Sequence, residues 1–151
     1  MVSKNKHFER SSCPIACGLD IVGDHWTLLV IRDMLLLGRH EFKDMLEDDE
    51  GISSNILSDR LRKLQADGLV NSIPHPDSQK RKLYYLTSKG KDMIDLIYAL
   101  GKWTVTYMPG NVDIPEERLA LIRQGPEAFR KVIFDQLSAW ERQYQIEQHL
   151  V

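Results

Sequence analysis

The segment ISSNILSDRLRKLQADGLV, residues 52–70, places Leu57, Leu61 and Leu64 at helical spacing. At about 3.6 residues per turn these leucines share one narrow stripe that must be buried. Asn55, Ser58, Asp59, Arg62 and Lys63 spread over the other side. Ser53 or Ser54 supplies an N-terminal cap and Gly68 closes the helix. Upstream, the pattern predicts three more helices. Pro14 opens a short one that Gly23 stops, and Asp24 caps a largely apolar second helix, WTLLVIRDMLLL, that ends at Gly38. Phe42, Met45 and Leu46, at i, i+3 and i+4, predict a short third.

After Gly68 the period changes. Two short strands are predicted at about 69–75 and 81–87, joined by a turn around Pro76 and Asp77. Helical spacing then returns, with Met93, Leu96, Ile97, Leu100, Trp103 and Tyr107 along one stripe. PGNVDIP breaks it, and residues 115–150 give one or two further amphipathic helices, split near Gly125 and Pro126. Helices, a basic hairpin and helices again make a mainly α chain with a small β-hairpin. A helix ending in ADGLV that runs into a hairpin carrying QKRK is the order of a winged helix-turn-helix.

Length and charge refine this picture. The 151 residues, 42% hydrophobic, suffice for one compact domain with an extension. The expected division is a flexible N-terminal arm at 1–12, a winged helix-turn-helix and dimerisation domain at 13–110, and a helical C-terminal extension at 111–151. A net charge of −2 conceals an asymmetry. Residues 41–51 carry six acids against Lys43 alone, whereas residues 53–91 carry eight basic residues against three acids. Nucleic acid is therefore not excluded as a partner. No apolar run approaches the roughly 20 residues that cross a bilayer, and no secretory signal is evident at the polar start, so the expectation is a cytoplasmic protein with no membrane association.

The polar face of the 53–66 helix has chemistry suited to a duplex. Ser53, Ser54 and Asn55 offer hydrogen-bonding groups and backbone amides at a helix start, which favour a phosphate. Arg62 can fork onto a guanine edge, and Asn55 can pair with adenine. Gln79, Lys80, Arg81 and Lys82 fall at the turn and returning strand, where a wing meets phosphates or a minor groove. Ordinary solvated surface is the bland reading of both features.

Three blocks carry a resemblance: CPIACGLDIVGDHWTLLVIRDMLLLGRHEFKDML, GISSNILSDRLRKLQADGLV and RKLYYLTSKGKDMIDLIYALGKW. In this order they resemble the HxlR family of bacterial transcription regulators, relatives of the MarR group, over about residues 13–108. The resemblance implies a winged-helix homodimer on pseudo-palindromic, double-stranded operator DNA, paired through its first and post-wing helices. It would place Ser53, Ser54, Asn55, Ser58 and Arg62 on the recognition helix and Gln79, Lys80 and Arg81 in the wing. It further implies that a cysteine at the CP position responds to electrophiles or oxidants. Two departures stand out. LEDDEGIS is longer and more negative than the family's usual link, and the wing lacks a proline-rich turn, which suggests modest, steeply salt-dependent DNA affinity.

Cys13 precedes Pro14 and is expected at a helix N-cap, where amides and the dipole favour a thiolate. It is the candidate redox sensor, with two ordinary thiols as the alternative; a small-molecule or electrophile effector is the corresponding partner. CPIAC offers too few ligands for zinc, and no metal or cofactor is expected. The stripe from Met93 to Tyr107 serves equally as dimer seam or core. The tail beyond residue 110 could enlarge that interface or build a ligand pocket. The five histidines are scattered, and no nucleophile-elbow, phosphate-loop, zinc-protease or dinucleotide motif is present, so an enzyme is not expected. A winged-helix module that binds another protein, without operator DNA, is the alternative from a different class.

Overall fold

A computed structural model describes residues 11–150. The expected N-terminal arm, residues 1–12, lies outside the described residues except for Ser11 and Ser12. Helix α1 spans Pro14–Val22, α2 Thr27–Leu36, α3 Phe42–Leu46 and α4 Ser54–Ala66. Strands β1 (Val70–His75) and β2 (Ser78–Leu86) form one antiparallel hairpin. The short α5 (Ser88–Lys91) leads into α6 (Ile94–Tyr107), and α7 (Glu116–Arg123), α8 (Pro126–Gln143) and a 3-10 turn at Ile146–His149 complete the chain. The winged helix-turn-helix order predicted from the sequence is present: α3 and α4 are the paired helices and the hairpin is the wing.

Caps fix the start of α2 and both ends of α4. The Asp24 carboxylate accepts from the amides of Trp26 and Thr27 at 2.9 and 3.0 Å, and from the Thr27 hydroxyl, fastening the start of α2. Ser53 Oγ accepts from the Ile56 amide at 3.2 Å and starts α4. At the other end, Leu69 N–H bonds the Leu64 carbonyl and Gly68 N–H the Gln65 carbonyl, with Gly68 at φ +77°. That is a Schellman stop, and glycine adopts its left-handed conformation without a Cβ penalty. Leu57, Leu61 and Leu64 are all buried, as their stripe requires.

The core is continuous. Val30, Ile31 and Met34 of α2 pack with the α4 leucines, Ile94 and Tyr98 of α6, and Phe129, Ile133 and Leu137 of α8. The segment beyond residue 110 is thus built into the same core rather than appended to it. Tyr98 donates its hydroxyl to the Ile122 carbonyl at 2.8 Å, and Lys91 pairs with the buried Glu141 at 2.8 Å. Arg130 of α8 reaches Asp92 at 2.7 Å and Asp95 at 3.1 Å.

The hairpin is irregular where its charge lies. Pairing runs regularly from Val70 opposite Leu86 to Pro74 opposite Lys82, then jumps to His75 opposite Ser78. Gln79, Lys80 and Arg81 therefore bulge from the returning strand with no residue facing them. Pro74, which has no amide to donate, is accommodated beside this break.

Candidate nucleic-acid interface

Helix α4 divides its polar residues between two jobs. Ser54, Asn55, Ser58 and Arg62 are exposed on one face, with Ser53 exposed at its start. The Arg62 side chain is 75% exposed and, among the described residues, has only a loose approach to Asp59, at 3.7 Å. Lys63 faces elsewhere. Its ammonium donates to the carbonyls of Asp20 and Ile21 at 3.0 and 3.1 Å, completing the last turn of α1. The expectation that Lys63 belongs to the outward face is corrected accordingly: a cation that satisfies helix-end carbonyls is committed to packing. Arg60, not singled out from the sequence, behaves likewise, donating to Asp24 at 2.8 Å and Asp59 at 2.6 Å. Partial burial opposes ionisation of Asp24, yet the Thr27 hydroxyl, the Arg60 guanidinium and two amides hold its carboxyl well below the usual range. These contacts fix α4 against the start of α2 and so orient its open face.

The wing shows a similar sorting. Lys80 and Lys82 are exposed and form no side-chain ion pair among the described residues. Arg81 forms a two-pronged pair with Glu41, at 2.7 and 2.8 Å, and that guanidinium holds the Glu41 carboxyl below its ordinary value. The Arg81 expectation is refined: it ties the wing to the entry of α3 as well as carrying charge. Lys89 and Lys91 are also committed, to the Asp67 carbonyl and to Glu141. Of the eight basic residues counted between 53 and 91, Arg62, Lys80 and Lys82 are left most open to a polyanion.

The acidic link before α4, residues 47–50, is neutralised from within at two of its four acids. Arg32 binds Asp33 and Asp48 and reaches Glu50 at 3.4 Å, while Arg39 approaches Asp48 at 3.6 Å. Burial pushes the Asp33 carboxyl up to about 6, against the pull of Arg32, while Asp48 beside it is held low. Asp48 and Glu50 therefore confront arginines rather than the open face of α4. Glu47 and Asp49 remain exposed.

His40 joins the wing to the body. Its Nδ1–H donates to the Tyr84 carbonyl at 3.0 Å, and its own carbonyl accepts from the Tyr84 amide at 2.7 Å. Its ring stacks on Trp140 with centroids 3.4 Å apart and planes 12° apart. Burial pushes the imidazole down to about 4, against the favourable carbonyl bond. Below about pH 6.5 the unfolded chain therefore binds a proton that the native state refuses. Stability should fall between pH 6.5 and 4 by up to about 3 kcal/mol from this group. His40→Gln should remove that share, so denaturant midpoints of the two proteins should converge on acidification. A parallel decline in both would refute the assignment.

The stripe after the wing divides. Met93 and Ile97 pack partly against the core, alongside the buried Ile94 and Tyr98. Leu96, Leu100, Trp103 and Tyr107 point outward, Trp103 being 56% and Tyr107 71% exposed. Helix α1 likewise exposes Ile15 and Leu19. Cys13 occupies the N-cap of α1 with its side chain exposed, and Cys17, one turn later, is half-buried. Among the described residues no cluster of three or more His, Cys, Asp and Glu could hold a metal, and no single helix is long and apolar enough to cross a membrane.

Residues 21–112 match the HxlR-like helix-turn-helix family. An HTH-type transcriptional regulator of Mycobacterium tuberculosis is 36% identical over 91 residues, which cover 60% of this chain and 56% of the relative. The chain thus spans little more than half the length of that relative. The HTH-type transcriptional regulator YtfH of Escherichia coli is 30% identical, over 72% of this chain and 85% of its own. Among solved structures, the reduced form of the transcriptional regulator YodB from B. subtilis superposes with a TM-score of 0.52 at 26% identity, covering 65% of this chain and 96% of that one. The redox regulator HypR in its reduced form, at 23% identity and a TM-score of 0.55, shares the fold, with 62% and 92% covered. With more than half of its residues matched and the paired helices and wing in place, the chain belongs to the HxlR-like helix-turn-helix family.

Proposed function

We propose that the protein is a homodimeric, sequence-specific DNA-binding regulator of transcription acting on a pseudo-palindromic operator. The observation that carries this reading is the pairing of two open surfaces. Among the described residues, the Ser54, Asn55, Ser58 and Arg62 face of α4 is exposed and its closest ion pair is the loose approach of Arg62 to Asp59, and the wing adds two lysines with no ion pair. Helix α4 enters the major groove, where Arg62 and Asn55 read base edges. Lys80 and Lys82 meet flanking phosphates, with Gln79 beside them. The outward stripes of α6 and α1 supply the two-fold contact, which presents recognition helices about 34–36 Å apart, one turn of DNA.

Two substitutions separate these roles. Arg62→Ala should cost about 1–3 kcal/mol on the preferred sequence and relax selectivity at one base position. Lys80→Ala should weaken binding to all duplexes alike and reduce the salt slope by about one unit. Equal, sequence-independent losses from both, measured by fluorescence anisotropy, would contradict the division.

Cys13 is the proposed trigger. It is exposed at the N-cap of α1, on the same helix as the exposed Ile15 and Leu19, so a modification there would disturb the two-fold contact. Diamide with glutathione, which joins the Cys13 thiol to the glutathione thiol in a mixed disulfide as diamide takes up both hydrogens, should lower the affinity of the wild type and leave Cys13→Ser unaffected. Equal responses from both would remove Cys13 from the mechanism. A winged-helix module that binds only protein would retain the apolar stripes but show no loss on removal of Lys80 and Lys82.

A further inference from the structure

The family match ends at residue 112, yet the chain beyond it returns to the wing. Trp140 of α8 lies flat on His40, whose main chain and ring both bond Tyr84 of β2. One turn later Tyr144 stands 5.4 Å from Trp140, between centroids, and 6.2 Å from His75, the last residue of β1. His149 sits 6.4 Å from Tyr85 of β2. Ile146, between them in sequence, is fully buried. The C-terminal segment therefore touches both strands of the wing and His40, which bonds Tyr84 of β2. Lys91–Glu141 and Arg130–Asp92 anchor the same helix to the end of α5 and the link that follows it.

A two-stranded hairpin is marginal in water and takes its orientation from whatever packs against it. Here part of that support is the aromatic cluster of Trp140, Tyr144 and His149. Such rings hold geometry well, because they bury large areas with few rotatable bonds and prefer defined mutual angles. We infer that the segment from Trp140 to His149 sets the angle of the wing to helix α4, with Trp140 a positioning residue for the wing's contacts to DNA.

This rests on the DNA-binding reading, and it extends the functional apparatus past the family-matched region. Truncating Trp140 opens a void behind His40. The hairpin is then free to shift, and with it Lys80 and Lys82, which lie between Tyr84 and the turn that follows His75. Arg81–Glu41 remains as a tether, so the wing is loosened rather than lost.

The test compares wild type, Trp140→Ala, Trp140→Phe and Phe129→Leu, using a duplex first selected by the wild type from a random pool, at temperatures well below every midpoint. Phe129 lies on the same helix but packs against Tyr98, with ring centroids 5.2 Å apart, and touches none of the wing contacts described here. Trp140→Ala should reduce the salt slope by about one to two units, as loss of one or two phosphate contacts requires. Trp140→Phe should restore most of that slope, and Phe129→Leu should lower thermal stability with the slope unchanged. An unchanged slope in Trp140→Ala, or an equal fall in Phe129→Leu, would overturn the inference while leaving DNA binding intact. Failure of the wild type to select any duplex would overturn both readings together. Should Trp140→Ala fail to fold, Trp140→Leu carries the same comparison.

Discussion

Trp103→Glu should yield a folded monomer whose affinity for a two-half-site duplex is lower by about 10²–10⁴-fold, the usual gain from linking two binding modules. The side chain is 56% exposed and its ring contacts Tyr107 rather than the core, so a charge there costs the isolated protomer little. In a two-fold contact the same carboxylate would be buried against its own copy, with like charges apposed and desolvated. Light scattering should report half the wild-type mass, and binding to a single half-site should be nearly unchanged. Retention of the dimer would move the interface away from Leu96, Leu100, Trp103 and Tyr107, and loss of both half-site and full-site binding would point to misfolding.

The second large effect concerns stability. Lys91→Ala should destabilise the protein by about 3–5 kcal/mol, because it leaves the carboxylate of Glu141 buried and uncompensated. The side chains are 19% and 4% exposed, so water can do little to replace the lost ammonium. Against a typical total of about 5–15 kcal/mol, that is a large fraction. Replacing both partners together, as Lys91→Met with Glu141→Leu, should recover most of the loss, since two apolar groups of similar volume carry no desolvation penalty. By contrast, Arg130→Ala breaks pairs whose acids are 66% exposed and should cost no more than about 1 kcal/mol. Urea midpoints for the four proteins check this order. A loss of under about 1 kcal/mol for Lys91→Ala would show that the pair is solvated.

Much of the architecture was legible because its signals are local. The cap at Ser53, the Schellman glycine at 68, the leucine stripe of α4 and the change of period after it all act within one or two turns. They place the helices and hairpin within a few residues of where they lie. The candidate interface was legible only in outline. Periodicity shows that Lys63 and Arg62 are polar and on a helix, but not that α1 ends beneath Lys63 and leaves Arg62 uncovered. The same holds for the acids. Asp48 and Glu50 read as a negative run, whereas Arg32 and Arg39, distant in sequence, meet them in space. The stripe from Met93 to Tyr107 divides because α6 rests on α8, and spacing alone could not reveal that the tail covers one flank. His40 and Trp140 are a hundred residues apart, and nothing in either neighbourhood announces their stack.

Joint action of the open face of α4 and the wing lysines on one duplex is the proposal that most needs testing. The most direct measurement is selection of bound duplexes from a random pool, followed by salt titration of the winner with wild type and Lys80→Ala. An inverted repeat with half-site centres about one helical turn apart is expected. A linear fall of log affinity with log salt, shallower by about 0.9 in Lys80→Ala, is expected with it. Absence of any enriched sequence, or a salt slope identical in the two proteins, would contradict it.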